Sequence, residues 1–123
     1  MDDERDLIDE LIDDLNDGVG YVTFDRDVLE TDRPGNWGAV ELTGQESSDW
    51  ADGRMIEQTL TADLWVCVDG KDTRAKRDVQ RVLLEFCGAN EGSWRLVSRS
   101  WLYDLNRVVW RWSVTMCAPL KEW

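Results

Sequence analysis

Between Met55 and Pro119, the hydrophobic pattern predicts a strand, a helix and a two-stranded hairpin, in that order. From Ile56 to Val68 apolar and polar residues alternate, which turns one face of a strand to the core and the other to solvent or a partner. The predicted core positions are Ile56, Leu60, Ala62, Leu64, Val66 and Val68, and the opposite face carries Glu57, Thr59, Thr61, Asp63, Trp65 and Cys67.

The predicted helix follows a turn at residues 69–72, and either Asp72 or Thr73 can cap it. We expect Gly88 to end it. Two further alternating segments, at 94–102 and 108–118, are separated by a tight polar turn and predict an antiparallel hairpin. The apolar stripe of the helix consists of Ala75, Val79, Val82, Leu83 and Phe86.

The N-terminal part of the chain predicts an acidic amphipathic helix over residues 1–17, stopped by Gly18 and Gly20. Short strands are predicted at 19–24 and 37–42, with a turn at 33–36 between them. Residues 43–54 are small and polar and predict a long exposed loop. The apolar face of the first helix consists of Leu7, Ile8, Leu11, Ile12 and Leu15.

Together these elements predict a single α+β domain over residues 1–123, with the order α-β-β-β-α-β-β. Helices should pack on one face of a mainly antiparallel sheet. A chain of this length can bury one hydrophobic core without a second domain. It contains no run of about 18 apolar residues and begins without the basic and apolar regions of a signal peptide, so we expect no membrane contact.

The net charge of −12 is concentrated at the N-terminus. Residues 1–32 hold 13 acidic residues against Arg5 and Arg26, a net of −11, so the remaining residues are nearly neutral. Such a chain should repel DNA, because phosphate binding requires a basic surface. Asp outnumbers Glu by 17 to 9 and Arg outnumbers Lys by 11 to 3. This balance suggests a halophilic source, where salt screens the self-repulsion of the acidic residues.

The sequence offers little catalytic chemistry. It has no histidine, which removes the commonest general base and transition-metal ligand. Neither a GxGxxG nor a P-loop motif is present. Carboxylates at Asp9, Asp13 and Asp14 lack the spacing of an EF-hand. We therefore predict no enzyme activity, no catalytic residue, no cofactor and no metal. Without a CxxC pair, the three cysteines, Cys67, Cys87 and Cys117, are expected to be reduced, buried thiols.

Candidate interaction residues come from the tryptophans and arginines. Trp37 and Trp50 fall in predicted loops, where an exposed indole either contacts a neighbour or folds back on its own domain. Four arginines should crowd onto one region of the last hairpin, as a solvated face or in ionic contact with another subunit. The acidic helix is either a solvated face or a partner surface. The four arginines are Arg95, Arg99, Arg107 and Arg111, and the candidate residues of the acidic helix are Asp9, Asp13, Asp14 and Asp17.

The order and spacing of several segments resemble a known family. After an acidic helix come Thr61–Val68, a helix opening at Asp72–Ala75, and the strand pair Ser93–Val97 and Val108–Val114. This pattern is similar to tail terminator or tail completion proteins of long-tailed, siphovirus-like phages and archaeal tailed viruses.

The resemblance implies a structural virion protein that is assembled in the host cytoplasm. Such a subunit forms a ring, typically a hexamer, that caps the tail tube protein and meets the head-tail connector protein, while DNA passes without specific binding. Some of the N-terminal aspartates would then lie near the channel. Alternatives are a neck adaptor or head completion protein of the same virion, an acidic DNA-mimic inhibitor, and a small acid-base enzyme.

Overall fold

The computed structural model describes residues 7–26, 35–49, 56–101 and 107–120. These residues form a mixed α+β fold, which confirms the predicted class and element order. The elements are α1 (Leu7–Gly18), β1 (Thr23–Asp25), β2 (Trp37–Asp49), β3 (Ile56–Asp69), α2 (Arg74–Ala89), β4 (Gly92–Trp101) and β5 (Arg107–Leu120).

The described strands form one sheet with the order β1-β2-β3-β5-β4. The short β1 is parallel to β2, and all other neighbours are antiparallel. The central strand β3 pairs with β5 along its whole length of 14 residues without a shift in register. Because side chains alternate between faces, this unbroken register aligns the core positions of the two strands.

The main hydrophobic core lies between the sheet and both helices. The apolar stripes predicted for α1 and α2 are buried there, as are the predicted core positions of β3 from Leu60 to Val68. Trp112 of β5 is completely buried and is the largest of the fully buried side chains in the described residues. The alternation in the sequence therefore identified the covered face correctly.

The loop predicted at 43–54 is wrong for residues 43–49, which continue β2 to Asp49; residues 50–54, including Trp50, lie outside the described residues. A bulge between Leu42 and Gly44 leaves Thr43 as an extra residue, and pairing with β3 resumes at Gly44 and Thr61. Backbone pairing with the central strand holds this polar segment, so it needs no hydrophobic alternation.

Two other boundaries differ from the prediction. The first strand is limited to Thr23–Asp25, because residues 19–22 form a turn after α1. Helix α2 continues through Gly88 to Ala89. At its start, Thr73 occupies the N-cap position, but the side-chain bond to the first turn comes from Asp72, the residue before it. Its Oδ1 accepts the backbone N–H of Arg74 at 3.2 Å, whereas Thr73 makes no side-chain capping bond.

Gly38 allows β2 to lie against a buried ring. A Cβ at this position would lie 2.3 Å from Cδ2 of Phe24, and Phe24 is buried. We expect Gly38→Ala to lower the free energy of unfolding by about 1–3 kcal/mol through overpacking. Gly44→Ala in the same strand is the matched control, because its nearest atom would be Thr61 Cβ at 3.7 Å. Urea unfolding checks both variants, and equal losses would contradict this packing argument.

Candidate interaction surfaces

The sheet face opposite the helices, here called the outer face, carries a second apolar cluster. Trp37, Ala39, Cys67 and Val109 form this outer cluster, and Trp65 packs against it. The strand register brings them together, since Trp37 pairs with Cys67 and Cys67 pairs with Val109. The predicted start of a strand at residue 37 is confirmed, whereas the interpretation of Trp37 as a loop residue at an interface is wrong. It begins β2 and is only 3% exposed, so it packs within its own chain.

Arg111 of β5 belongs to the same outer face. Its guanidinium lies 5.2 Å from the centre of the Trp65 ring, a cation–π contact. The Nε of Arg111 and the indole N–H of Trp65 are buried without a hydrogen-bond acceptor among the described residues. The ring contact therefore offsets part of the cost of burying these two donors.

A bulge in β4 separates the four arginines that the sequence grouped together. Pairing with β5 shifts between Leu96 and Ser98, which leaves Val97 as an extra residue. Arg95 therefore pairs with Ser113 on the outer face, whereas Arg99 pairs with Trp110 on the helix-covered face. The prediction that these arginines crowd onto one region is wrong. Arg107 lies at the start of β5, where it donates a hydrogen bond to the carbonyl of Gly35.

One side of the molecule is basic. Arg95 and Arg99, both exposed, are the charged residues of β4 and are here called the basic edge. The Arg99 guanidinium lies 5.1 Å from the centre of the Trp110 ring, and Nζ of Lys76 in α2 lies 5.3 Å from the same centre. Two cations thus flank one half-buried indole where α2 contacts β4.

The opposite side is acidic. Helix α1 contains no basic residue, and it contacts β1 and β2. Glu41 and Glu46 are exposed on β2 and are here called the acidic edge. The sheet therefore separates acidic elements on the β2 side from the basic edge on the β4 side. The four aspartates proposed as a partner face are all exposed on α1, namely Asp9, Asp13, Asp14 and Asp17.

Between the two helices lies a groove of about 240 Å³, lined in part by Asp14, Asp17, Arg81 and Glu85. Desolvation of its carboxylate raises the pKa of Asp14, and the charges of Glu10 and other nearby acids raise it further. Within the described ranges, no group of three cysteine or carboxylate side chains is placed to hold a metal ion. Desolvation and the nearby like charges together disfavour the charged form of Asp14 in the folded protein.

A buried carboxylate joins α2 to the turn that follows α1. Asp78 lies on the apolar stripe of α2 and is 8% exposed. Tyr21 donates its hydroxyl hydrogen to Asp78 Oδ2 at 2.7 Å. This hydrogen bond, with help from Arg77 and Arg81, lowers the pKa of Asp78 despite burial. Burial and the same bond raise the pKa of Tyr21. In the sequence, Asp78 can be recognised as an acidic residue within an apolar stripe. Its partner Tyr21 lies 57 residues away and cannot be recognised from the sequence pattern.

The three cysteines are free thiols. Cys67 and Cys87 are buried as predicted, and Cys117 is half-buried on the outer face. Burial raises the pKa of the Cys87 thiol, which keeps it protonated and unreactive at neutral pH.

No protein-family model and no curated protein sequence matches this chain. Among the described residues, neither helix combines the length and the apolar composition needed to cross a membrane. What the chain does must therefore be inferred from its own surfaces.

Removing the Tyr21 hydroxyl should destabilise the fold. We expect Tyr21→Phe to lower the free energy of unfolding by about 1.5 kcal/mol, the scale of a hydrogen bond to a charged group. The lowered pKa of Asp78 means that its contribution is complete above the ordinary value of 3.8 and is lost as the pH falls through the lower folded-state value. The difference between wild type and variant should shrink over that acid range.

Chemical denaturation at a series of pH values measures this effect. As control, Tyr21→Phe in an Asp78→Asn background should cost little, because the charged acceptor is already gone. A loss that is the same in both backgrounds would contradict the proposed coupling.

Neutralising one aspartate of α1 should stabilise the protein. Because the pKa of Asp14 is raised, its charged form is disfavoured in the folded state at pH values above that pKa. We expect Asp14→Asn to raise the free energy of unfolding by about 0.5 kcal/mol in dilute salt, the scale of a like-charge pair on a helix.

Asp9→Asn on the same helix is the matched control with the opposite expected sign. Asp9 Oδ1 lies 2.9 Å from Arg26 Nε, so this variant loses an ion pair. Thermal melts in dilute and in molar salt compare the two variants. A stabilising effect of both, or of neither, would contradict this account of the local charges.

Proposed function

We propose that this chain is a structural subunit that assembles head to tail into a ring, and that the ring is a tail terminator of a long-tailed virus. The observation that carries the proposal is the separation of charge across the sheet, with α1 and β2 acidic and β4 basic. A head-to-tail interface joins two different surfaces of the same subunit. Opposite charges on those surfaces favour that contact over contacts between like surfaces.

The unequal lengths of the strands support a docking role. β1 pairs with β2 only at Trp37–Ala39, and β4 pairs with β5 only as far as Met116. Beyond these points β2, β3 and β5 continue as a three-stranded extension that ends at Asp49, Ile56 and Leu120. A ladder of this kind is held by backbone hydrogen bonds, so it can project towards a neighbouring subunit or the tail tube without a core of its own.

The exposed aspartates of α1 suit a channel through which DNA moves. Carboxylates repel phosphates, so an acidic lining would let a genome pass without adhering to it. In this proposal the ring caps the tail tube, contacts the head-tail connector on its other side, and carries out no reaction. Its place is the virion, after assembly in the host cytoplasm.

The mass of the purified protein in solution tests this proposal. We expect light scattering to detect a discrete species near six times the chain mass of 14.3 kDa, and electron microscopy to show closed rings. Measurements at several protein concentrations, in about 0.1 M and 1 M salt, separate assembly from charge-driven association. A species of 14.3 kDa under all these conditions would contradict the ring, and a monomer that binds a DNA-binding protein would favour a DNA mimic.

A further inference from the structure

Both ends of the described sheet present an open strand edge. β4 pairs with β5 on one side and has no strand on its other side within the described residues. On β2, β1 covers only Trp37–Ala39, so residues 40–49 have no described strand beyond them. An open edge presents unpaired backbone N–H and C=O groups that can pair with another strand.

The two open edges match in length. β4 contains 10 residues, and the uncovered part of β2, from Val40 to Asp49, is equally long. Each strand also contains one bulge, at Thr43 and at Val97.

The charges on the two edges are opposite. The acidic edge carries Glu41 and Glu46, and the basic edge carries Arg95 and Arg99, all exposed. Pairing β4 with β4 would bring arginines together, and pairing β2 with β2 would bring glutamates together. Like charges on adjacent strands are unfavourable, whereas opposite charges stabilise the pair. The charges thus disfavour symmetric dimers, in which two identical edges pair, and leave the pairing of β4 with β2 as the alternative.

The faces of Glu46 and Arg95 agree as well. Glu46 pairs with Thr59 and Thr59 with Cys117, while Arg95 pairs with Ser113, four residues before Cys117 on β5. Glu46 and Arg95 therefore project on the same outer face of the sheet. If the sheet continued into a second copy, its outer face would continue too, and antiparallel pairing of residues 40–49 with the full length of β4 would place these two residues opposite each other.

We infer that β4 of one copy pairs with the uncovered part of β2 in the next copy, so that the sheet continues across the subunit boundary. The partner is a second copy of this chain, selected by the complementary charges of the two edges. This inference rests on the proposed head-to-tail assembly and specifies the surfaces that form it.

Charge reversal at each edge tests the inference. Arg95→Glu with Arg99→Glu makes both edges acidic, and Glu41→Arg with Glu46→Arg makes both edges basic. Each double variant should assemble at least about tenfold more weakly than wild type, because like charges then meet at every interface. The fourfold variant that carries both changes should regain assembly, and its net charge is again −12.

Mixing the two double variants gives a second expected rescue. Acidic-edged and basic-edged copies can alternate, so an even-numbered ring should form from the mixture although neither variant forms one alone. Lys71→Glu with Thr73→Glu and Leu84→Glu is the matched control, since it changes the net charge by the same amount as the β4 variant at three exposed positions away from both edges. It should assemble like wild type. Circular dichroism confirms that each variant is folded before its mass is measured.

Crosslinking tests direct contact between the edges. With Cys117 replaced by Ser, Thr43→Cys and Ser98→Cys together should give a ladder of covalent multimers with a short bismaleimide. Either substitution alone should give at most dimers. Assembly of wild type without this ladder, or with no response to charge reversal, would overturn the edge pairing but leave the ring intact. A wild type that remains a monomer would overturn both the ring and the edge pairing.

Discussion

The unbroken register between β3 and β5 is the constraint on which the rest of the fold depends. Along 14 residue pairs, each inward side chain of β3 has an inward partner on β5, such as Leu64 with Trp112 and Ala62 with Val114. A slip of one residue would turn every one of these side chains to the other face. Because both helices pack on this continuous apolar surface, the ladder also fixes where α1 and α2 can lie.

The outer strands β2 and β4 contain shifts in register, whereas the central pair of β3 and β5 contains none. β2 and β4 each contain a bulge, and each bulge changes which side chains reach which face. In β4 the extra residue Val97 sends Arg95 to the outer face and Arg99 to the helix-covered face, where its charge rests against Trp110. Both edges of the sheet can therefore be irregular and charged while the centre stays regular and apolar.

The sequence predicted the element order and the covered face because those features depend on local periodicity. Leu60 to Leu64 alternates strictly between apolar and polar residues, and both helices carry clear apolar stripes. The missed features depend on distant partners. Residues 43–49 form a strand because β3 pairs with them, and Trp37 is buried because neighbours from other strands surround it. No glycine or proline stands at or next to Val97, so the sequence does not indicate the bulge there. The bond between Tyr21 and Asp78 joins residues too far apart for any spacing rule.

The distance over which charges act distinguishes the roles of the acidic helix and the strand edges. Salt screens charges beyond about 10 Å at 0.1 M and beyond about 3 Å at 1 M. The repulsion among the aspartates of α1 is spread over separate turns of an exposed helix, so concentrated salt removes most of it. An arginine and a glutamate in direct contact across paired strands lie within the shorter distance and keep most of their attraction. High salt should therefore stabilise the subunit and leave its proposed edge contacts in place. This difference is a reason for a protein of this composition to combine an acidic helix with oppositely charged edges that act at short range.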